Sequence, residues 1–181
     1  MLEAIGPMPD GLKSFLQSRL VFKTVKRKEN LLDFGKVCRN VTFILEGSFR
    51  CFHIDDEGNE ICSWFMKSGA VIIVVDSYYL EIPSNETIQT MTKSLVCSIT
   101  REQVREACTF FPEFYQHVLF FTEKYYTISY QEKRLLRMRC CAQERLNFLL
   151  EIFPDLLSWV PKKYIASYLG ISKWELSRIK L

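Results

Sequence analysis

Four glycines recur about every eleven residues in the first half of the chain, and the segments between them are rich in β-branched and aromatic residues. The glycines are Gly35, Gly47, Gly58 and Gly69. The candidate strands are residues 41–46, 48–54, 60–66, 87–91 and 94–99. Short strands at intervals of roughly 8–12 residues, separated by turn residues, are typical of a β-sandwich, jelly roll or barrel. The stretch Asp-Asp-Glu-Gly-Asn at residues 55–59 predicts a hairpin turn between the second and third strands.

The pattern changes from strand to helix near residue 100. Thr100, followed by charged and amide residues, is a typical helix start, and Pro112 stands where the first turn of a second helix tolerates proline. No glycine or proline follows as far as Arg139, which predicts a long helix. One apolar stripe repeats every seven residues and suits a coiled-coil dimer, whereas the alternative is a helix buried within one subunit. The stripe comprises Phe114, Phe121, Ile128 and Leu135, and a second stripe with Phe111, Tyr115, Leu119 and Tyr126 lies on another face.

The C-terminal third contains two short helical segments joined by a tight turn. Residues 161–169 precede Gly170 and residues 171–180 follow it, which is the arrangement of a helix-turn-helix. Gly170 supplies the positive φ of the turn, and Ser172 is suited to cap the second helix. The exposed face then presents residue types that contact bases and phosphates in a DNA major groove. The DNA-binding candidates are Ser172, Lys173, Trp174, Ser177 and Arg178 on the second helix, with Lys162 and Lys163 at the start of the first.

The charge of the chain is unevenly distributed. Residues 133–181 carry ten Lys/Arg and four Asp/Glu, a balance of +6, whereas the remaining 14 basic and 17 acidic residues leave the first 132 positions at −3. A basic C-terminal quarter favours a polyanionic partner, most simply nucleic acid. The alternative is a solvated helical surface, because similar helix pairs occur in proteins that do not bind DNA. The charge and the helix-turn-helix together favour DNA.

Composition excludes several other classes of protein. A hydrophobic content of 48% with 25% charged residues indicates a folded globular chain, and the longest apolar run, residues 70–75, is far shorter than the roughly 20 residues of a membrane span. No secretory signal pattern opens the sequence, and the seven cysteines form no CxxC pair. We therefore expect a cytoplasmic protein without a disulfide framework. Only two histidines are present, so we expect no metal and no cofactor.

Residues 10–181 resemble the Crp/Fnr family of bacterial transcription regulators. Residues 31–35, 43–47 and 58–60 are similar to the early strands and hairpin of that family's β-roll. Residues 144–145, 160–161, 165–171 and 176–179 are similar to its DNA-binding end. The resemblance implies a cyclic-nucleotide-binding-type β-roll, a long dimerisation helix and a C-terminal helix-turn-helix. Trp174 stands where the family's recognition helix often carries glutamate, so no base preference is transferred.

We therefore predict an α+β subunit in three parts. A β-roll or jelly roll with flanking helices spans residues 1–111, the dimerisation helix spans 112–139, and the helix-turn-helix domain spans 140–181. The resemblance implies a sequence-specific transcription regulator that binds double-stranded DNA at a pseudo-palindromic operator as a homodimer and contacts RNA polymerase. The dimer seam is expected near the heptad stripe of Phe114, Phe121, Ile128 and Leu135.

The ligand site of the family is altered in this sequence. Members that bind cyclic nucleotides use a Gly-Glu pair and a later Arg-Ser/Thr-Ala motif, which fall here on Ile73-Val74 and on residues 84–86, Ser-Asn-Glu. The phosphate-binding arginine is missing, so cyclic AMP and cyclic GMP are not expected to bind at micromolar concentration unless Arg50 or Lys93 reaches the site. The roll is then a scaffold, or it binds an unknown, less charged ligand near residues 71–75. The pocket candidates are Gly69, Val74, Ser84, Asn85, Glu86 and Thr87.

Two other functions compete with DNA binding. A cupin-type enzyme would need a His-x-His ligand set within the strands, but His53 stands alone and His117 lies on a predicted helix. No nucleophile or phosphate-loop motif is present either, so we predict that the protein is not an enzyme. A cyclic-nucleotide-binding or other small-ligand sensory module that does not act through DNA is the remaining alternative. It would leave the basic helix-turn-helix without a role.

Cysteines at alternating strand positions are expected to be small buried hydrophobic residues. These are Cys51, Cys62 and Cys97. The adjacent Cys140 and Cys141, between the long helix and the DNA-binding part, are redox candidates.

Overall fold

The structure, a computed structural model, describes residues 2–123 and 141–179. Eight strands form the N-terminal body: β1 (Val21–Val25), β2 (Asn30–Leu32), β3 (Asn40–Glu46), β4 (Ser48–Ile54), β5 (Glu60–Lys67), β6 (Val71–Ile72), β7 (Thr87–Thr90) and β8 (Ser94–Thr100). The described helices are α1 (Asp10–Arg19), α2 (Val75–Leu80), α3 (Arg101–Phe110), α4 (residues 114–123), α5 (Ala142–Ile152), α6 (Leu156–Trp159), α7 (Lys162–Leu169) and α8 (Lys173–Arg178). A 3₁₀ turn, Leu2–Ala4, precedes them.

The strands form two four-stranded antiparallel sheets of a jelly roll. The first sheet has the order β1-β8-β3-β6 and the second has the order β2-β7-β4-β5. Alternate residues of each strand point between the sheets, where Ile44, Phe49 and Val96 belong to one buried cluster. After Pro112, the described part of the chain contains helices and no strand. The predicted α+β fold with an N-terminal β-roll is therefore confirmed.

The glycine positions correspond to turns, as the spacing predicts. Gly35, Gly47, Gly58 and Gly69 all have positive φ values, which side chains other than glycine rarely adopt. In the predicted hairpin, the Oδ1 atom of Asp55 accepts a hydrogen bond of 2.8 Å from the backbone N–H of Asn59. This bond closes the turn between β4 and β5.

Several elements were not predicted from the sequence. Strands β1, β2 and β6 are short, and β1 lies at an edge with Val21 and Phe22 exposed, so it lacks the alternating pattern of a strand with one buried face. Helix α2 has six residues, too few for a helical period to be recognised. The predicted start of α3 is confirmed, because Thr100 and Gln103 form a reciprocal capping box.

Replacing Gly47 by alanine is expected to destabilise the roll by about 2 kcal/mol. Gly47 has a φ of +100°, and a Cβ atom there would lie 2.0 Å from the Oγ atom of Ser94 and 2.9 Å from its Cα atom. Gly58→Ala is the matched control, because its φ is also positive (+85°) but no atom lies within 4 Å of the added Cβ. It should cost only the roughly 1 kcal/mol of the left-handed conformation, since no steric clash is added. Urea unfolding of both variants tests this, and equal losses would contradict the steric argument.

Candidate DNA-binding site and ligand pocket

Helices α7 and α8 are joined by a tight glycine turn, as predicted for a helix-turn-helix. Gly170 ends α7 in the left-handed conformation, with φ 64° and ψ 39°. The backbone N–H of Ile171 donates to the carbonyl oxygen of Ala166 at 3.0 Å, which satisfies an end group of α7. Ser172 then caps α8: its Oγ atom accepts from the N–H of Glu175 at 3.1 Å, and the Glu175 carboxylate accepts from the N–H of Ser172 at 2.9 Å. The turn and the cap thus fix the direction in which α8 begins.

The DNA-binding candidates all lie on exposed positions of this unit. Ser172, Lys173, Trp174, Ser177 and Arg178 are exposed on α8, while Leu176 between them is buried. The guanidinium of Arg178 lies 4.4 Å from the centroid of the Trp174 ring, one helical turn earlier. The hydroxyl of Ser177 donates to the carbonyl oxygen of Trp174 at 2.7 Å. The structure therefore brings all five side chains to one short helix.

Two further cations stand at the start of α7. Lys162 and Lys163 are exposed, and the ammonium of Lys163 lies 4.6 Å from the centroid of the Tyr164 ring. Glu175 is the acidic residue within α8, and hydrogen bonds from the backbone and side chain of Ser172 hold the pKa of its carboxyl below its usual value. The negative charge of Glu175 therefore lies at the start of α8, where it interacts favourably with the helix dipole.

The helix-turn-helix packs directly on the β-roll. One buried cluster contains Phe52 and Phe65 from the second sheet together with Leu149 from α5 and Ile165 from α7. The rings of Phe65 and Tyr168 approach with their centroids 5.3 Å apart. A shared apolar core of this kind holds two units in one arrangement more firmly than a polar interface does.

Arg50 is the centre of this contact. It is 2% exposed, and its guanidinium lies 4.0 Å from the ring centroids of both Phe52 on β4 and Tyr164 on α7. Its Nη1 atom donates to the Glu60 carboxylate at 2.6 Å, and its Nη2 atom donates to Gln89 at 2.8 Å. Arg50 therefore faces helix α7 rather than the interior of the roll, so it is not placed to serve the nucleotide site.

Polar contacts complete the docking along the edge strand β5. The Ser167 hydroxyl donates to the carbonyl oxygen of Glu60 at 2.7 Å and accepts from the N–H of Cys62 at 2.9 Å. Lys67 and Asp155 form an ion pair at the rim of the contact, where both side chains are about half exposed. These docking residues were missed by sequence reasoning, although an arginine within the apolar stretch of β4 is a signal that could have identified one of them.

The predicted nucleotide pocket contains no cation among its described members. Val74 is buried in the core of the roll, whereas Gly69 and Asn85 are exposed. The other three candidates form hydrogen bonds within the roll. The Ser84 hydroxyl donates to the carbonyl oxygen of Glu86 at 2.7 Å, and the Glu86 carboxylate accepts from the thiol of Cys51 at 3.1 Å. The Thr87 hydroxyl accepts from the N–H of Phe34 at 3.2 Å.

Lys93, the other cation that sequence reasoning left open, is exposed in the turn between β7 and β8. With Arg50 engaged elsewhere, neither of these two cations is placed to complete an anion site beside Glu86.

Helix α4 faces the roll with the stripe that was expected at the dimer seam. Phe114 is 7% exposed in a cluster with residues of α1 and α3, and the Phe121 ring lies 6.1 Å from that of Phe43 on β3. Phe114 is therefore packed inside its own subunit, whereas Phe121 is half-buried, and the dimer seam itself stays a prediction. Tyr115 and Leu119 of the second stripe face outward. The seam candidates Ile128 and Leu135 lie outside the described residues.

The cysteines of the strands are buried, as expected. Cys51, Cys62 and Cys97 are 3–6% exposed, and burial raises the pKa of the Cys62 and Cys97 thiols. Of the redox candidates, Cys141 is exposed and Cys140 lies outside the described residues. Within the described ranges, no three side chains of the metal-binding types come together. No helix in those ranges is long and apolar enough to cross a membrane.

Comparison with known proteins gives one match for the sequence of the β-roll and another for the fold of the whole chain. Residues 22–109, which contain most of the β-roll, match the family model of the cyclic nucleotide-binding domain. The chain as a whole has the fold of transcription regulators of the Crp/Fnr family. No curated protein matches the sequence.

Three solved structures illustrate the likeness in fold. FixK2 from Bradyrhizobium japonicum is 17% identical, with 88% of this chain and 81% of that chain covered and a TM-score of 0.74. The c-di-GMP-responsive global regulator CLP from Xanthomonas campestris is 13% identical, with coverage of 94% and 89% and a TM-score of 0.71. A protein from Eubacterium rectale described as a Crp/Fnr-family transcriptional regulator is 14% identical, with coverage of 94% and 81% and a TM-score of 0.72. Of these three, CLP and the Eubacterium rectale protein are described as regulators.

Proposed function

We propose that the protein is a sequence-specific DNA-binding transcription regulator of the Crp/Fnr type. It acts in the cytoplasm as a homodimer on a pseudo-palindromic operator, with RNA polymerase as a further partner. The three-part organisation, residues 1–111, 112–139 and 140–181, belongs to this proposal. The observation that carries it is the capped, exposed helix α8, which displays Lys173, Trp174, Ser177 and Arg178 beside a turn of helix-turn-helix geometry.

The charge arrangement supports a role for α8 at the DNA. Lys173 and Arg178 stand on the helix face that is not packed on the roll, and Lys162 and Lys163 extend the positive surface to the start of α7. Glu175, the acidic residue in α8, is engaged with Ser172. In helix-turn-helix proteins the second helix contacts base edges with its N-terminal residues, while the neighbouring helix contacts the backbone. Lys173, the first residue of α8, and the two lysines at the start of α7 fit that division of roles, and Arg178 lies on the same exposed face of α8.

Selection of bound sequences from random double-stranded DNA tests the function. We expect enrichment of an inverted repeat whose half-sites are about 34 Å apart, since two recognition helices of a dimer enter successive major grooves on one side of the duplex. A single enriched half-site would contradict the dimer. Failure to enrich any sequence would contradict DNA recognition and favour a sensory module that does not act through DNA.

Arg178→Ala is expected to weaken binding to the selected operator by about 1–3 kcal/mol and to relax the base preference at one position. Lys163→Ala is expected to weaken operator and unrelated DNA alike and to reduce the salt dependence by about one unit, since it removes a phosphate contact. Fluorescence anisotropy at several salt concentrations measures both effects. An Arg178→Ala variant that binds the operator as the wild type does would show that α8 is docked differently.

Cyclic AMP and cyclic GMP are expected not to bind with micromolar affinity. A buried cyclic phosphate needs a cation, whereas Ser84 stands at the arginine position and the Glu86 carboxylate beside it repels an anion. Loss of a charge-assisted pair in a desolvated site costs on the order of 2–5 kcal/mol, or roughly 30-fold to several-thousand-fold in affinity. Isothermal titration with both nucleotides measures this, and a dissociation constant below about 10 μM would contradict it.

A further inference from the structure

A large apolar cavity lies on the outer face of the first sheet. Its volume is about 600 Å³, within the range of roughly 300–1,000 Å³ that is typical of small-molecule sites. The sheet contributes Phe43 and Cys97, whose neighbours Ile44 and Val96 belong to the buried cluster of the roll. Helix α1 contributes Leu16, and α4 contributes Val118. The cavity is thus enclosed between the sheet and the helices that flank it.

This cavity differs from the nucleotide pocket expected from the family. Of the six pocket candidates, Gly69 lines the cavity, whereas Val74, Ser84, Asn85, Glu86 and Thr87 do not. The alternate residues Val71, Ile73 and Val75 do line it, so the apolar segment noted in the sequence faces this space. A ligand here would lie outside the interior of the roll.

The polar groups of the cavity converge at one end. Lys13 on α1 pairs with Glu3 of the 3₁₀ turn at 2.7 Å, and Nε2 of His117 on α4 lies 3.2 Å from the carbonyl oxygen of Leu2, the preceding residue. These four residues all line the cavity. The Lys13 ammonium and the His117 imidazole therefore lie beside the same short segment, Leu2 and Glu3. Lys13 is the only lysine or arginine among the described residues that line the cavity.

His117 has an unmet hydrogen bond at this end. A carbonyl oxygen can only accept, so the hydrogen of the neutral imidazole is on Nε2 and the Nδ1 atom is left as an acceptor. Nδ1 is buried and has no partner within the described structure, and His117 as a whole is 1% exposed. Buried polar atoms without partners are rare and frequently mark a missing water or ligand.

We propose that the cavity binds a medium-chain aliphatic carboxylic acid, with the alkyl chain against Phe43, Val118 and Phe121 and the carboxylate at Lys13. The lining follows α4 from Phe114 to Thr122, about 12 Å along the helix axis, which suits an elongated ligand.

The head group can be accommodated at the Lys13 end. The Glu3 side chain is 68% exposed, so its ion pair is weak, and the incoming carboxylate takes its place on Lys13.

Isothermal titration of the purified full chain with decanoic acid tests the proposal. We expect one site per chain with a dissociation constant of about 10 μM, and binding of the uncharged 1-decanol at least tenfold weaker. Lys13→Gln should remove the preference for the acid over the alcohol. The absence of saturable binding, or an unchanged preference in Lys13→Gln, would overturn the proposal. Because the titration contains no DNA, its outcome is independent of the proposed function in transcription.

Two tryptophan substitutions locate the site. Leu45 lines the cavity and is 41% exposed, so Leu45→Trp fills the entrance with little risk to folding, and we expect it to weaken decanoate binding at least tenfold. Val21 is 65% exposed on β1 and does not line the cavity, so Val21→Trp is the matched control and should bind as the wild type does. Equal effects of the two substitutions would show that the acid binds elsewhere and would overturn the assignment.

Discussion

Replacing Phe65 by alanine is expected to lower the free energy of unfolding by about 3–5 kcal/mol and to loosen residues 141–179 from the roll. Phe65 is 2% exposed, and its ring packs on Tyr168 of α7 within the cluster that the two units share. The substitution removes a large apolar side chain and leaves a cavity at the contact. Hydrogen exchange measured by mass spectrometry should show faster exchange in α5–α8 than in the strands.

Phe49→Ala is the matched control for this prediction. Phe49 is 0% exposed, but it lies between the two sheets, away from the helix-turn-helix. We expect Phe49→Ala to lower the free energy of unfolding by a similar amount. In this variant, however, the strands of the roll should also lose protection from hydrogen exchange, and not α5–α8 alone. If both variants loosened the same residues, the shared cluster would not be what holds helices α5–α8 to the roll.

Arg50→Leu is expected to destabilise the protein by about 3–4 kcal/mol. The guanidinium is buried between Phe52 and Tyr164, and its loss leaves Glu60 and Gln89 without their donor. The cost stays below that of a fully buried pair because the Glu60 side chain is 45% exposed. The hydrogen bond from Arg50 also holds the pKa of the Glu60 carboxyl below its usual value.

Lys67→Ala serves as the control at the same contact. Lys67 pairs with Asp155 at the rim, where both side chains are about half exposed, so its loss should cost less than about 1 kcal/mol. Urea unfolding compares the two variants. A cost for Arg50→Leu that is no larger than for Lys67→Ala would show that the buried arginine contributes no more than a surface ion pair.

Strand positions could be predicted where glycines with positive φ separate long alternating segments. Strands β3, β4 and β5 lie within one residue of the predicted ranges. The short strand β6 and the helix α2 could not be predicted, because two to six residues contain too little of a period.

The orientation of α4 shows a different limit. Its two apolar stripes have similar composition, so the sequence does not distinguish the stripe that faces the roll, with Phe114 and Phe121, from the stripe with Tyr115 and Leu119. The partners Phe43 and Leu12 that fill the space around the first stripe are distant in sequence.

The candidate DNA-binding residues could be named from the sequence because helix caps and glycine turns are local signals. Ser172 and Gly170 have the local geometry that their residue types predict. The docking of Arg50 against Tyr164 could not be predicted, because it joins residues more than one hundred positions apart. A long-range contact of this kind produces no recognisable pattern in the sequence of either segment.

The most direct test of the proposed function is the affinity of the full chain for the selected operator relative to unrelated duplex DNA of the same length at physiological salt. Fluorescence anisotropy should give an operator affinity at least about 10³-fold higher than that for unrelated DNA, because base contacts from α8 add to the phosphate contacts that both duplexes share. Equal affinity for the two duplexes, or no binding to either, would contradict sequence-specific DNA recognition by this protein.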